Sequence, residues 1–67
     1  MKNKFSINIK NLRLQKGLKQ QELADKLSIT QRKVSYWELG KVEPDIDMLW
    51  EIAELFEISV DELIGKE

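Results

Sequence analysis

The sequence predicts an all-α domain of five short helices. Three observations predict it. Apolar residues recur at three- and four-residue intervals in each segment, and no stretch alternates with a period of two. Residues that end or begin helices, namely Gly17, Ser28, the run Gly40 to Pro44, Glu57 to Ser59 and Gly65, cut the chain into five pieces. A length of 67 residues gives one domain, near the lower limit at which a core offsets chain entropy without disulfides or metals.

In the first piece Phe5, Ile9 and Leu12 fall on one helical face, with Ser6 placed as N-cap and Gly17 as stop. The second, Gln20 to Leu27, carries a stripe of Leu23, Ala24 and Leu27, and Lys19 ahead of it is a poor cap. Only Ser28 and Ile29 separate it from the third helix, so the two must cross steeply around a tight turn, with the small Ala24 at the crossing. Thr30 caps the third helix, which buries Val34 and Trp37. The fourth follows Pro44 and Asp45 and carries Ile46, Leu49, Ile52, Ala53 and Phe56 inward. Ser59 and Glu62 form a capping box for a short fifth helix, with Ile58 and Leu63 at the staple positions. Trp37 reads as core. Trp50 lies beside the apolar stripe of its helix and is either an interface anchor or a rim residue covering the core.

No Cys and no His removes thiolate nucleophiles, imidazole bases, zinc fingers and disulfide frameworks, and no apolar run reaches the length of a membrane span. A cytoplasmic location without cofactor or metal is expected. Carboxylate pairs could suggest glycosidase chemistry or calcium, but no EF-hand-type loop accompanies them, and a solvated acidic face is the simpler reading. The net charge of −1 conceals a division. Residues 1–41 hold ten cations and three acids, a net of +7, whereas residues 42–67 hold one cation and nine acids, a net of −8. Such asymmetry marks either a polyanion-binding face or two halves that attract each other.

The third helix supplies the sharper clue. A helix N-terminus is positive and favours acids, yet this one opens with Thr30-Gln-Arg-Lys-Val-Ser-Tyr36, placing Arg32 and Lys33 in the first turn. Two cations there cost stability, which is understandable if a polyanion occupies the site in use. The stretch Leu18 to Lys41 resembles the helix-turn-helix of the phage repressor and Cro family, and Pro44, Leu49 to Ala53 and Ile58 to Leu63 resemble that family's fourth and fifth helices. The resemblance implies a compact lambda-repressor-like domain over residues 7–64, between a basic arm (1–6) and a short tail (65–67). Its third helix would enter the major groove of double-stranded DNA, as a homodimer on a pseudo-palindromic operator.

By matching position the resemblance implies base reading by Gln31, Arg32 and Tyr36, flanked by Lys33 and Ser35, and phosphate binding by Gln20. Arg32 suits guanine and Gln31 suits adenine. Lys10, Lys19, Thr30 and Lys41 are further phosphate candidates. Lys2 and Lys4 form either an arm along the groove or a solvated tail. Arg13 and Glu38 match a partly buried structural ion pair. Ser28 and Glu57 stand where the family often has Gly, and left-handed backbone is expected at both. Dimer contacts are expected from Ile58, Val60, Leu63 or Ile64. A regulator of transcription, repressor or Cro-like, follows; the competing class is an antitoxin or adaptor that uses the same fold to hold a protein.

Overall fold

The computed structural model describes residues 3–65. The helices are α1 (Phe5–Gln15), α2 (Gln20–Leu27), α3 (Gln31–Glu38), α4 (Ile46–Phe56) and α5 (Val60–Ile64), with no strand among the described residues. One core gathers side chains from all five, including Ile9, Leu23, Val34, Ile52 and Leu63.

α1 begins before Ser6, which is therefore not its cap. Phe5 is the first helical residue; its N–H donates to Asn3 Oδ1 at 2.9 Å, and its ring meets Trp37 edge-on with centroids 5.8 Å apart. Burying a phenyl ring contributes about 1.5–3 kcal/mol, more than the roughly 1 kcal/mol of a serine cap, so the helix extends to capture it. The Lys4 N–H donates to Ile64 O at 2.8 Å, which removes Lys4 from any solvated tail and ties both ends of the domain together. Residues 3–6, drawn as part of a basic arm, thus belong to the folded body; Lys2 lies outside the described residues.

α2 and α3 pack most extensively of any helix pair. Lys19 provides no side-chain cap, but Glu22 reaches back to accept the Lys19 N–H at 2.7 Å, a stabilising contact that the sequence reading missed. Ser28 turns the chain in left-handed conformation (φ 59°), and Thr30 Oγ1 accepts the Lys33 N–H at 3.2 Å. Asp45 caps α4 by accepting the Met48 N–H, and Glu57, also left-handed (φ 58°), ends that helix.

Two assignments on α4 and α5 are corrected. Ile46, placed on the core face, is 73% exposed. It is the first residue of its helix and lies on the flank it shares with Trp50 four residues on, outside the arc of Leu49, Ile52, Ala53 and Phe56 that faces inward. Leu63, placed at a dimer contact, is fully buried, because the inward side of a five-residue helix offers one large side chain to the space between α1 and α4. Asn8 Nδ2 donates to Leu63 O at 3.0 Å and fixes that placement. Gly65 closes α5 where a Cβ would stand 2.9 Å from Lys4 Cβ, so a side chain is excluded by contact as well as by its φ of +67°.

Candidate nucleic-acid interface

α3 divides cleanly by burial. Val34 and Trp37 point into the core, while Gln31, Arg32, Lys33 and Tyr36 are exposed and Ser35 is half-buried. The helix has no acid in its first turn. The side chains of Arg32 and Lys33 make no hydrogen bond or ion pair among the described residues, so both charges remain available beside a positive helix end. At the other end of α3, Lys41 N–H donates to Tyr36 O at 2.9 Å, and the Lys41 ammonium lies 5.9 Å from the centre of the Tyr36 ring. That contact holds a cation against an exposed aromatic face. Arg32, Lys33 and Tyr36 join Val42, Pro44 and Asp45 of the α3–α4 connection around an open depression of about 470 Å³.

Behind this face stands a connected polar cluster. Arg13 Nε donates to Glu38 Oε2 at 2.7 Å and Nη2 donates to Glu38 Oε1 at 3.1 Å, a bidentate bridge between α1 and α3. Nη1 donates to Leu18 O at 2.8 Å and ties in the α1–α2 connection. The two side chains are 10% and 5% exposed. Both carboxylate oxygens and three guanidinium nitrogens are thereby engaged, which is what makes a desolvated pair tolerable. This pair lies within the basic half of the chain, so it does not join that half to the acidic one.

Gln20 extends the cluster outward. Its Nε2 donates to Glu38 Oε1 at 3.0 Å, and its Oε1 accepts from Gln31 Nε2 at 2.6 Å. Sequence reasoning assigned Gln20 and Gln31 to separate jobs and missed their contact, because the partners sit 11 and 18 positions apart and meet only through the α2–α3 crossing. Thr30 Oγ1 is occupied as an acceptor by the α3 cap and keeps its own O–H as a donor. Lys10 and Lys19 are exposed.

The residues expected at a dimer contact separate. Leu63 is core, Ile64 is half-buried with its carbonyl engaged by Lys4, and Ile58 and Val60 are half-buried against the core. Ile58 and Val60 share a shallow depression of about 340 Å³ with Trp50, which is 60% exposed, between Glu54 and Asp61. Trp50 thus leaves most of its indole open beside that depression. Among the described residues no helix is long and apolar enough to cross a membrane, and no cluster of three acidic, His or Cys side chains is placed to hold a metal.

A helix-turn-helix family model matches residues 9–63, most of the chain. An uncharacterised HTH-type transcriptional regulator of Bacillus subtilis, YqaE, is 44% identical over 63 residues, covering 94% of this chain and 54% of that protein. The HTH-type transcriptional activator BcrR of Enterococcus faecalis is 35% identical over 63 residues, covering 94% of this chain and 31% of that protein. The crystal structure of a transcriptional regulator from Listeria innocua superposes with a TM-score of 0.94 at 34% identity, covering all of this chain and 63% of that one. The chain thus spans from a third to two thirds of the length of the proteins it matches.

Proposed function

Because the chain belongs to the helix-turn-helix family of lambda-repressor and Cro-like domains, we propose that it is a sequence-specific DNA-binding regulator of transcription that reads the major groove with α3. The observation that carries the proposal is the outer face of α3. It offers an amide, a guanidinium, an ammonium and a phenol, with no acid and no aliphatic anchor, which is the chemistry of base edges and phosphates. Gln31, Arg32 and Tyr36 take the base edges, with Lys33 and Ser35 flanking them. Gln20, Thr30 and Lys41, with Lys10 and Lys19 as general attraction, take the phosphates. The work is binding, with no covalent step.

The chain acts in the cytoplasm as a two-fold homodimer on a pseudo-palindromic operator, its reading helices about one helical turn of DNA apart. Trp50, Ile58 and Val60 form the contact, since they make the apolar surface that α4 and α5 leave open. Its regulatory sense is repression, as a Cro-like switch. Selection of bound sites from random duplexes, followed by gel shifts across a salt series, tests the reading. A single enriched motif whose affinity falls steeply with salt is expected. The antitoxin or adaptor reading is favoured by one observation, the exposed Trp50 and Ile46 on α4, and binding that is absent at micromolar protein from low to moderate salt would select it.

A further inference from the structure

The outer face of α3 is free of acids, but the wall opposite it is not. Glu43, in the connection from α3 to α4, lines the same open depression of about 470 Å³ as Arg32, Lys33 and Tyr36. A depression of that volume is about 10 Å across, no more than the Debye length at 0.1 M salt, so a charge on either wall acts on whatever enters. The other acids around the basic half have structural tasks. Glu22 accepts the Lys19 N–H, Asp25 accepts from Gln21 Nε2, Glu38 is bridged to Arg13, and Asp45, which shares the depression, caps α4. Glu43 caps no helix and forms no ion pair with a described cation. Its exposed carboxylate accepts one hydrogen bond, from Asn3 Nδ2 to Oε2 at 3.0 Å, and a neutral acceptor would serve Asn3 equally.

That hydrogen bond decides whether the charge matters. An exposed glutamate turns about its side-chain torsions and swings away from an approaching phosphate at little cost. This one is fastened at its far end. Asn3 Oδ1 accepts the N–H of the buried Phe5 at 2.9 Å, which leaves the NH2 of that amide to meet Glu43. Moving the carboxylate aside therefore breaks a charge-assisted hydrogen bond anchored on the start of α1. We propose that Glu43 is a brake on phosphate binding: held over the α3 depression by Asn3, its carboxylate lowers affinity for DNA of every sequence and leaves discrimination to the base contacts. This rests on the reading in which α3 lies in the major groove, which brings the connection after it, with Lys41, along a phosphate backbone. Non-specific binding is phosphate attraction, so a fixed negative charge among Arg32, Lys33 and Lys41 weakens it without touching a base edge. Random sites vastly outnumber operators in a genome, and a weaker hold on all of them leaves more of the chain free to find its own.

The test uses the 67-residue chain, a duplex carrying the site it selects and random duplexes of equal length, over a salt series and at a temperature where circular dichroism shows each variant folded. Glu43→Gln keeps an acceptor for Asn3 and removes only the charge. It is expected to raise affinity for both kinds of duplex by at least about threefold at about 0.1 M salt and to steepen the salt slope by up to about one, with preference among base pairs unchanged. Glu57→Gln removes the same charge at the far end of α4, about 16 Å along that helix, and is expected to leave both affinities within about twofold of the wild type. Asn3→Ser keeps an oxygen for the Phe5 N–H and gives up the amide that holds Glu43. It should raise affinity in the same sense as Glu43→Gln and add nothing once position 43 is glutamine. The proposal is overturned if Glu43→Gln leaves affinity unchanged or lowers it, or if it alters preference at one base pair, which would make the carboxylate a base reader. It is equally overturned if Glu57→Gln raises affinity as much, which would make net charge the cause. An effect of Asn3→Ser that persists beside Glu43→Gln overturns the positioning by Asn3. A wild-type chain that binds neither duplex overturns the DNA-binding reading itself, a result distinct from these.

Discussion

Removing the Arg13 side chain would strip both oxygens of the nearly buried Glu38 of their guanidinium partner and free the Leu18 carbonyl as well. A buried charge left alone in this way costs roughly 3–5 kcal/mol, a large part of the stability of so small a domain. Arg13→Ala is expected to lower the urea midpoint sharply, with DNA affinity falling only as the folded fraction falls. A variant that keeps wild-type stability but loses its operator would assign Arg13 to DNA instead. Arg32 carries the same charge in the same half of the chain, but it is exposed and unpaired among the described residues. Arg32→Ala should leave stability unchanged or slightly improved and lose about 1–3 kcal/mol of discrimination at one base pair, whereas Lys41→Ala should weaken all sequences and reduce the salt slope by about one. Equal losses on specific and random duplexes for Arg32→Ala would remove it from base reading. The opposite fates of these two cations are not written in the residue type; they follow from whether a carboxylate waits across the helix interface.

At the scale of the elements, two helices end on residues that resist the conformation required of them. Ser28 and Glu57 both hold left-handed backbone, which costs a residue with a Cβ about 1 kcal/mol relative to glycine. Ser28→Gly and Glu57→Gly should each raise stability by about 0.5–1 kcal/mol, read as a shift of the denaturant midpoint at constant slope, and their effects should add because the turns are distinct. A loss of stability would mean that the serine or glutamate side chain holds its turn in some other way. These positions were legible in the sequence because a cap or a turn is decided by four or five consecutive residues. So were the caps at Thr30 and Ser59 and the inward faces of α2 and α3. What escaped was decided between elements. Ile46 satisfies the spacing of a core residue, yet nothing packs over the first turn of α4 at its flank. Leu63 satisfies the spacing of a staple and was also expected at a dimer contact, yet it fills the space between α1 and α4. Phe5 draws α1 past the serine that local rules would choose. The same limit hid the Gln20–Gln31 contact: each glutamine was identified alone, and their meeting depends on how α2 crosses α3.

At the scale of the whole molecule, the divided charge gives the two proposed associations opposite responses to salt. DNA binding by the basic half releases counterions from the duplex and must weaken as salt rises. The dimer contact behaves otherwise. From residue 42 to residue 65 the chain has no Lys or Arg, and Trp50, Ile58 and Val60 are bordered by Glu54 and Asp61. A two-fold contact apposes the same patch on both copies, so acids meet acids while the apolar centre is buried. Salt screens that repulsion over about 10 Å at 0.1 M and 3 Å at 1 M, and it leaves the apolar term intact or strengthened. Sedimentation without DNA is therefore expected to show dimerisation tightening between 0.05 and about 0.5 M salt, over the same range in which the gel shift weakens. Trp50→Ala should abolish the salt-promoted dimer without lowering thermal stability, because the indole is mostly exposed in the monomer. Dimerisation that weakens with salt, or that survives Trp50→Ala, would move the contact to another surface. Apparent operator affinity then passes through a compromise: low salt favours each half-site contact and opposes the pairing of copies, and the steepest cooperativity is expected where the two terms cross.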